Sequence, residues 1–367
     1  MKTNKFLIGF LLQATVCSSG LHAQTDLHAN AYSIIQDAVT DIVCTSPTDA
    51  IQKEKRVIQI LDGKGKGDAS FVCMCDRFSS LKKFSGEVRD ASGNVIRKIK
   101  KSELKVTEYS DELVSDDYYY FFEYTPSRYP ITITYEWEIK NSDGLIGYPS
   151  FLPQKNYNQS VAQASYRILT PADNPCRYRT INMQAEVSQK QTTDGNWLTE
   201  VKVQSLPAIQ KEPYSPALSE LLPRIYFTPR NFSFEGTKGS MDNWQTYGAW
   251  QYQLLSGRDQ IPPALKEELQ RRTANCNTPY EKIAAVYQYL ASTTRYVSIQ
   301  LGIGGLQPIA AADVHRTGFG DCKGLSNYMR AMLTELGIPS TYTVISTTNR
   351  RLLADFASAN QNNHVIL

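Results

Sequence analysis

The chain has 367 residues, 41% of them hydrophobic and 20% charged, with 39 Lys and Arg against 36 Asp and Glu. That is the composition of an ordinary globular protein with enough apolar residues for real cores, and its length suits two domains or slightly more. A charge so evenly balanced offers no electrostatic footprint for nucleic acid, which excludes that class of partner.

Lys2 and Lys5 precede an apolar run from Phe6 to Val16, and Leu21-His22-Ala23 supplies a small residue at a cleavage site before Gln24. Residues 1–23 therefore read as a secretory signal peptide, the run being too short for a spanning helix. A lipoprotein reading with Cys17 as the modified residue is disfavoured by Val16 in front of it. Loss of Lys2 and Lys5 leaves 37 basic against 36 acidic residues, so the formal charge falls from +3 to +1. No other stretch is long and apolar enough to cross a bilayer. The expectation is an exported protein, periplasmic or associated with the cell envelope, without a transmembrane segment in the mature chain.

Residues 24–207 read as a β-rich domain. Val57–Leu61 is a strand running into Asp62-Gly63-Lys64-Gly65-Lys66-Gly67, a loop suited to positive φ. A hairpin is predicted across Glu87–Arg89, the turn Asp90–Asn94 and Val95–Ile99. A second pair, Tyr118–Tyr124 with Ile131–Ile139, turns at Thr125–Arg128, and Ile131, Ile133, Tyr135, Trp137 and Ile139 alternate with polar residues as in a strand with one wet face. A third hairpin joins Ile181–Gln191 to Trp197–Gln204 through Thr193–Asn196. Repeated short strands with turn punctuation point to an all-β antiparallel sandwich, with no internal repeat. The aromatic run Tyr118–Phe122 reads as core packing rather than a stacking platform for peptide or carbohydrate.

Pro207, Pro213, Pro216, Pro223 and Pro229 mark residues 208–259 as a connector, with a short helix over Tyr247–Leu255. Another helix opens at Pro262-Pro263 and runs through Arg272. Thr278-Pro279-Tyr280-Glu281 then supplies a cap, a first-turn proline and a capping-box acid, with Ile283, Val286, Tyr287 and Leu290 as the core face. Residues 260–367 form an α+β core.

Within it, Gly318-Phe319-Gly320-Asp321-Cys322-Lys323-Gly324-Leu325 leads into a helix marked by Leu325, Met329, Met332, Leu333 and Leu336 and stopped at Gly337 and Pro339. Cys322 thus falls in the first turn, where free backbone N–H groups and the helix dipole favour an anion and a thiol ionises more readily. A strand, Thr341–Thr347, and a polar loop follow, and Asn363–Leu367 opens a second strand at His364. Adjacent elements of this kind can bring an imidazole to the sulfur. Asp321 reads as the helix cap. His315, seven residues before the cysteine, reads as a hydrogen-bonded or exposed histidine.

The segments Tyr296–Pro308, Gly320-Asp321-Cys322-Lys323 and Asn363-His364-Val365-Ile366 resemble the bacterial transglutaminase-like superfamily, and more narrowly proteins that join that papain-like core to an N-terminal β domain of the DUF3857 type. The resemblance implies a Cys–His–Asp arrangement with Cys322 as nucleophile and His364 as base. The acid of the family's G-D-C-K-D run is Gly324 here. The third, acidic member is unknown in this sequence and expected on a strand beyond Leu367, so the core reads as incomplete at its C-terminal end. An oxyanion hole needs a second donor beside the Cys322 N–H, for which Gln307, or else Gln300, is the candidate.

These readings imply an exported thiol-dependent acyl-transfer enzyme acting on the amide bonds of a peptide or protein, as protease, amidase or transglutaminase. The alternative is a non-catalytic envelope module that keeps the fold to bind peptides or glycans. No cofactor is implied. Cys44, Cys73, Cys75, Cys176 and Cys276 offer no metal framework, since a Cys-x-Cys pair without neighbouring ligands is not a zinc site. Spacing leaves open whether Cys73 and Cys75 bridge or stay as thiols.

Overall fold

The computed structural model describes residues 26–108, 114–348 and 352–367. The signal peptide expected over residues 1–23, with Cys17, lies outside the described residues.

The N-terminal region is built from β1 (Ser33–Cys44), β2 (Ala50–Ile60), β3 (Phe71–Cys75), β4 (Ser79–Arg89), β5 (Val95–Lys100), β6 (Lys105–Glu108), β7 (Val114–Ser115), β8 (Tyr118–Phe122) and β9 (Ile131–Asn141). It continues with β10 (Gln159–Thr170), β11 (Arg177–Ile181), β12 (Val187–Gln191) and β13 (Trp197–Leu206). Eight of these strands make one sheet in the order β12-β13-β10-β1-β2-β9-β4-β5, and β3, β8 and β6 make a smaller sheet. β1 runs parallel to β10 and antiparallel to β2. The alternation in β9 works as expected: Ile131, Ile133, Tyr135, Trp137 and Ile139 are all buried. Phe71 of β3 fills the space between the two sheets, its ring 4.5 Å from that of Phe84, 5.3 Å from Tyr135 and 5.2 Å from Trp137. The Tyr135 hydroxyl, buried with them, donates to the Ala69 carbonyl at 2.7 Å, so the aromatic core leaves no orphan there.

Several local expectations change in the fold. The Glu87–Ile99 hairpin forms as β4 and β5, with Gly93 at φ 85° in its turn. Tyr118–Tyr124 and Ile131–Ile139 do not pair. β8 joins β3 and β6, whereas β9 sits between β2 and β4. The link between them is too long to force a two-residue hairpin, so each strand goes to the sheet that buries its side chains. β12 and β13 form the third hairpin, but Ile181 belongs to β11, in a different sheet. The glycine-rich stretch after β2 is not a positive-φ loop. Gly63–Ala69 is a short 3-10 turn capped by Asp62, and Gly65 is needed for space, since a Cβ there would lie 2.3 Å from the Tyr32 carbonyl oxygen.

Residues 208–259 carry more structure than a connector: α1 (Leu218–Leu221), β14 (Arg224–Thr228), β15 (Asn231–Phe234), β16 (Thr237–Ser240) and α2 (Trp244–Leu255). β14 pairs with β11. Phe232, Phe234, Tyr247 and Trp250 form a separate core that Phe78 and Val344 also touch, tying the sheet region to the C-terminal one.

The C-terminal region contains α3 (Pro263–Thr273), α4 (Pro279–Thr293), β17 (Arg295–Tyr296), β18 (Ile299–Gln300), α5 (Ala311–Thr317), β19 (Phe319–Gly320), α6 (Cys322–Glu335), β20 (Thr343–Ile345) and β21 (His364–Ile366). Thr278 and Glu281 form the capping box of α4. Its inward face is Val286 and Tyr289, however, while Ile283 and Tyr287 are exposed. Met329, Met332 and Leu333 of α6 pack with Leu265, Leu269 and Val286 in the core of this region. No helix among the described residues is long and apolar enough to cross a membrane.

Candidate active site

Cys322 is the first residue of α6. Asp321 precedes it with extended backbone and accepts the Gly324 N–H at 2.9 Å, which fixes the start of the helix. The same carboxylate is paired with the Lys323 ammonium, and both side chains are buried. A buried carboxylate beside a sulfur would oppose a thiolate. Here its charge is already met by the lysine two residues on, and Cys322 itself remains partly open to solvent.

Two short parallel strands bring the upstream segment to this helix mouth. Tyr296 of β17 lies opposite Gly320 of β19, and Val297 N–H donates to the Gly320 carbonyl at 3.0 Å. This sets the Tyr296 hydroxyl in reach of both the Cys322 backbone N–H and its thiol. The phenol is held above its ordinary range by burial first, and then by the charges of Cys322 and Asp321. Tyr342, just before β20, also feels the charges of these two residues. Burial first, then those charges, pushes its phenol up, and its hydroxyl finds no hydrogen-bond partner among the described residues. Neither tyrosine stood out in the sequence, where Tyr296 is one aromatic in a motif and Tyr342 one β-former in a strand.

β20 and β21 pair antiparallel with His364 opposite Ile345, and β21 packs against α6. The loop before it is anchored where Asn363 Oδ1 accepts the Thr347 N–H at 2.9 Å. His364 therefore rides on the strand neighbouring the cysteine helix. Among the described residues no hydrogen bond joins its ring to the Cys322 sulfur. His315 is engaged elsewhere, its Nδ1 3.0 Å from the Tyr328 hydroxyl across the α5–α6 contact.

The segment carrying the two glutamines is held by the sheet region. β18 pairs with β7, Asp116 accepts the Gly302 N–H at 2.6 Å, and Glu235 accepts that of Ile303 at 2.8 Å while meeting Arg77 at 3.3 Å. Gly302 has φ 50°, and a Cβ there would fall 2.5 Å from Arg77, so this turn requires glycine. Gln307 closes the turn with its own N–H on the Ile303 carbonyl at 2.7 Å, whereas the Gln300 side chain meets Ser298 at 3.4 Å. All six cysteines of the described residues are free thiols, and no group of three or more His, Cys, Asp or Glu among those residues is placed to hold a metal.

Residues 50–210 match a domain of unknown function with a solved structure, DUF3857, and residues 267–366 match the transglutaminase-like superfamily. Among solved structures, a provisionally assigned protease from Parabacteroides distasonis ATCC 8503 superposes with a TM-score of 0.67 at 14% identity, over 91% of this chain and 64% of that one. The chain thus spans less than two thirds of that protein, and the likeness is one of fold. An M1 zinc metallopeptidase from Deinococcus radiodurans matches with a TM-score of only 0.26 at 8% identity, over 53% of this chain and 42% of that one. No curated protein matches the chain.

Proposed function

For a chain that joins a DUF3857 domain to a transglutaminase-like core, we propose an exported, thiol-dependent enzyme that transfers the acyl group of a peptide or protein amide. The observation that carries this is a half-open sulfur at the mouth of α6 with the histidine-bearing strand packed on that same helix. The Cys322 thiol gives its proton to His364 and attacks the carbonyl carbon. The resulting oxyanion is met by the Cys322 backbone N–H and a second donor. Collapse breaks the C–N bond, the imidazolium returns its proton to the departing amine, and a thioester remains. Water or a second amine then attacks the thioester, with His364 taking its proton and the thiol leaving. Hydrolysis and acyl transfer share every residue named so far.

Tyr296 joins Gln307 and Gln300 as a candidate second donor, because the β17–β19 pairing brings it to the mouth of α6. Leaders of the Lys2–Ala23 kind direct export, which puts the substrate at the cell envelope. A second reading, a non-catalytic peptide- or glycan-binding module, draws on one observation: sulfur and imidazole share no hydrogen bond. Catalytic pairs are often loose before substrate closes the site, so we favour the enzyme.

The test is labelling of the intact protein with iodoacetamide at pH 6, read by mass. Cys322→Ala should abolish the label, and His364→Ala should slow it on the order of a hundredfold. A rate unchanged by His364→Ala favours the binding module. A label persisting in Cys322→Ala shows that the activated thiol lies elsewhere.

A further inference from the structure

The DUF3857 region carries a second surface with the chemistry of a binding site, independent of Cys322. β3 is the outer strand of the three-stranded sheet, paired with β8 on one side and with no strand on the other among the described residues. Its side chains alternate: Phe71, Cys73 and Cys75 are buried, while Val72 and Met74 are 61% and 56% exposed. An unpaired edge bearing large apolar side chains is a surface that proteins ordinarily block or cover. Here it borders two adjoining hollows, of about 320 and 270 Å³, which share Ile35, Arg56, Val72, Trp137 and Lys155 as walls.

Arg56 and Lys155 enter both hollows, and neither forms a salt bridge among the described residues. The guanidinium of Arg56 lies over the Trp137 ring, 5.4 Å from its centroid. The nearby carboxylate of Glu54 is occupied by other donors, Thr40 Oγ1 at 2.9 Å and Gln52 Nε2 at 2.8 Å. Asp68, which lines the smaller hollow, has its oxygens taken by Ser33, Asn156 and Gln159. Although Lys155 as a whole is exposed, its ammonium is pushed down to about 8, by the protein around it first and by the charge of Arg56 second. The Glu54 carboxylate, itself held above its ordinary range by burial, offsets this pair only in part, so two cations face one acid in the larger hollow.

The position of the pair along the strand selects the anion. The smaller hollow is walled by Ser70, Phe71 and Val72, the N-terminal end of β3. A peptide adding antiparallel to β3 would end its own chain there. A terminal carboxylate presents two oxygens to a guanidinium fork, and alternate side chains of the added strand would meet Val72 and Met74. We propose that the open edge of β3 binds an extended peptide by strand addition, with the peptide's C-terminal carboxylate held between Arg56 and Lys155.

The experiment is fluorescence anisotropy of the full chain with fluorescein-labelled Thr-Val-Thr-Val-Thr bearing a free C-terminus. The same peptide as its C-terminal amide, an amide version with an internal Glu, and an acid with alternate backbone nitrogens methylated complete the set. The free acid should bind at least tenfold tighter than either amide, and methylation should remove binding. Arg56→Gln and Lys155→Gln should each weaken the acid at least fivefold and leave the amide unchanged, with Lys155→Gln keeping the wild-type melting temperature. Equal binding of acid and amide, equal binding of the internal-Glu peptide, insensitivity to Lys155→Gln, or no binding at millimolar peptide would each overturn the proposal. So would a dimer in sedimentation that dissociates on Val72→Lys, since a second copy would then cover the edge.

Discussion

The sheet region and the helical core both carry cysteine, and they treat it in opposite ways. Cys44, Cys73, Cys75 and Cys176 are sealed between strands, whereas Cys322 stands half-open where a helix begins. Burial pushes the thiol of Cys44 up to about 12 and that of Cys176 to about 11. In the core the buried charges are instead Asp321 and Lys323, which neutralise each other beside the half-open sulfur. The contrast teaches that the thiol's chemistry comes from its place in the backbone. Burial in the sheet region denies the sulfur water, and the bonds that reach Cys176 from Gln189 do not offset that. A helix mouth supplies N–H groups and leaves the sulfur open to solvent.

The largest effect expected from breaking this contrast is in the core. Asp321→Ala removes the cap and leaves a buried lysine without its partner, so it should cost about 4 kcal/mol in denaturant unfolding. A double change, Asp321→Ala with Lys323→Met, should recover most of that loss; failure to recover would mean the cap, not the ion pair, dominates.

The sheet thiols give the next effect. The folded values of Cys44 and Cys176 lie above the ordinary value of 9.0 for a free thiol, so these two favour the folded state fully below pH 9. That contribution is lost as the pH climbs toward 11 and 12, because the unfolded chain releases the protons first. Stability should fall by on the order of 3 kcal/mol between pH 9 and pH 11. Cys44→Ala with Cys176→Ala should flatten that slope in unfolding curves taken across the interval.

The join between the regions comes third. Asp116→Asn weakens the grip on Gly302 and should cost about 1 kcal/mol. It should also slow iodoacetamide labelling of Cys322 several-fold if the clamped turn orders the site, and a stability loss with unchanged labelling would confine Asp116 to a structural role. Smallest of all, Tyr287→Ala on the open face of α4 should shift the melting midpoint by less than the equivalent of about 0.5 kcal/mol, against a large loss for Tyr289→Ala on the buried face.

Much of the site was legible in the residues because its signals are local. Asp321 at a helix start, the apolar spacing of Met329, Met332 and Leu333, and Gly337 at φ 71° are each dictated by a few neighbours. The capping box of α4 could be read for the same reason. Its buried face could not, because Tyr287 and Tyr289 look alike until α3 and α6 choose a side. Tyr296 escaped notice because its importance depends on β17 lying along β19, a pairing of two residues each.

What the sequence determined by itself was therefore periodic or capped: the alternating β9, the turn at Gly93, and the strand–helix–strand order that carries Cys322 and His364. Tertiary structure decided which strand went to which sheet, sending β8 away from β9, and gave residues 208–259 a core of their own. It also decided that Lys323 turns inward to Asp321 and that β3 is left with an open edge. Pairing partners and burial are set by surfaces distant in the chain competing for the same apolar contacts, and no local spacing records who wins.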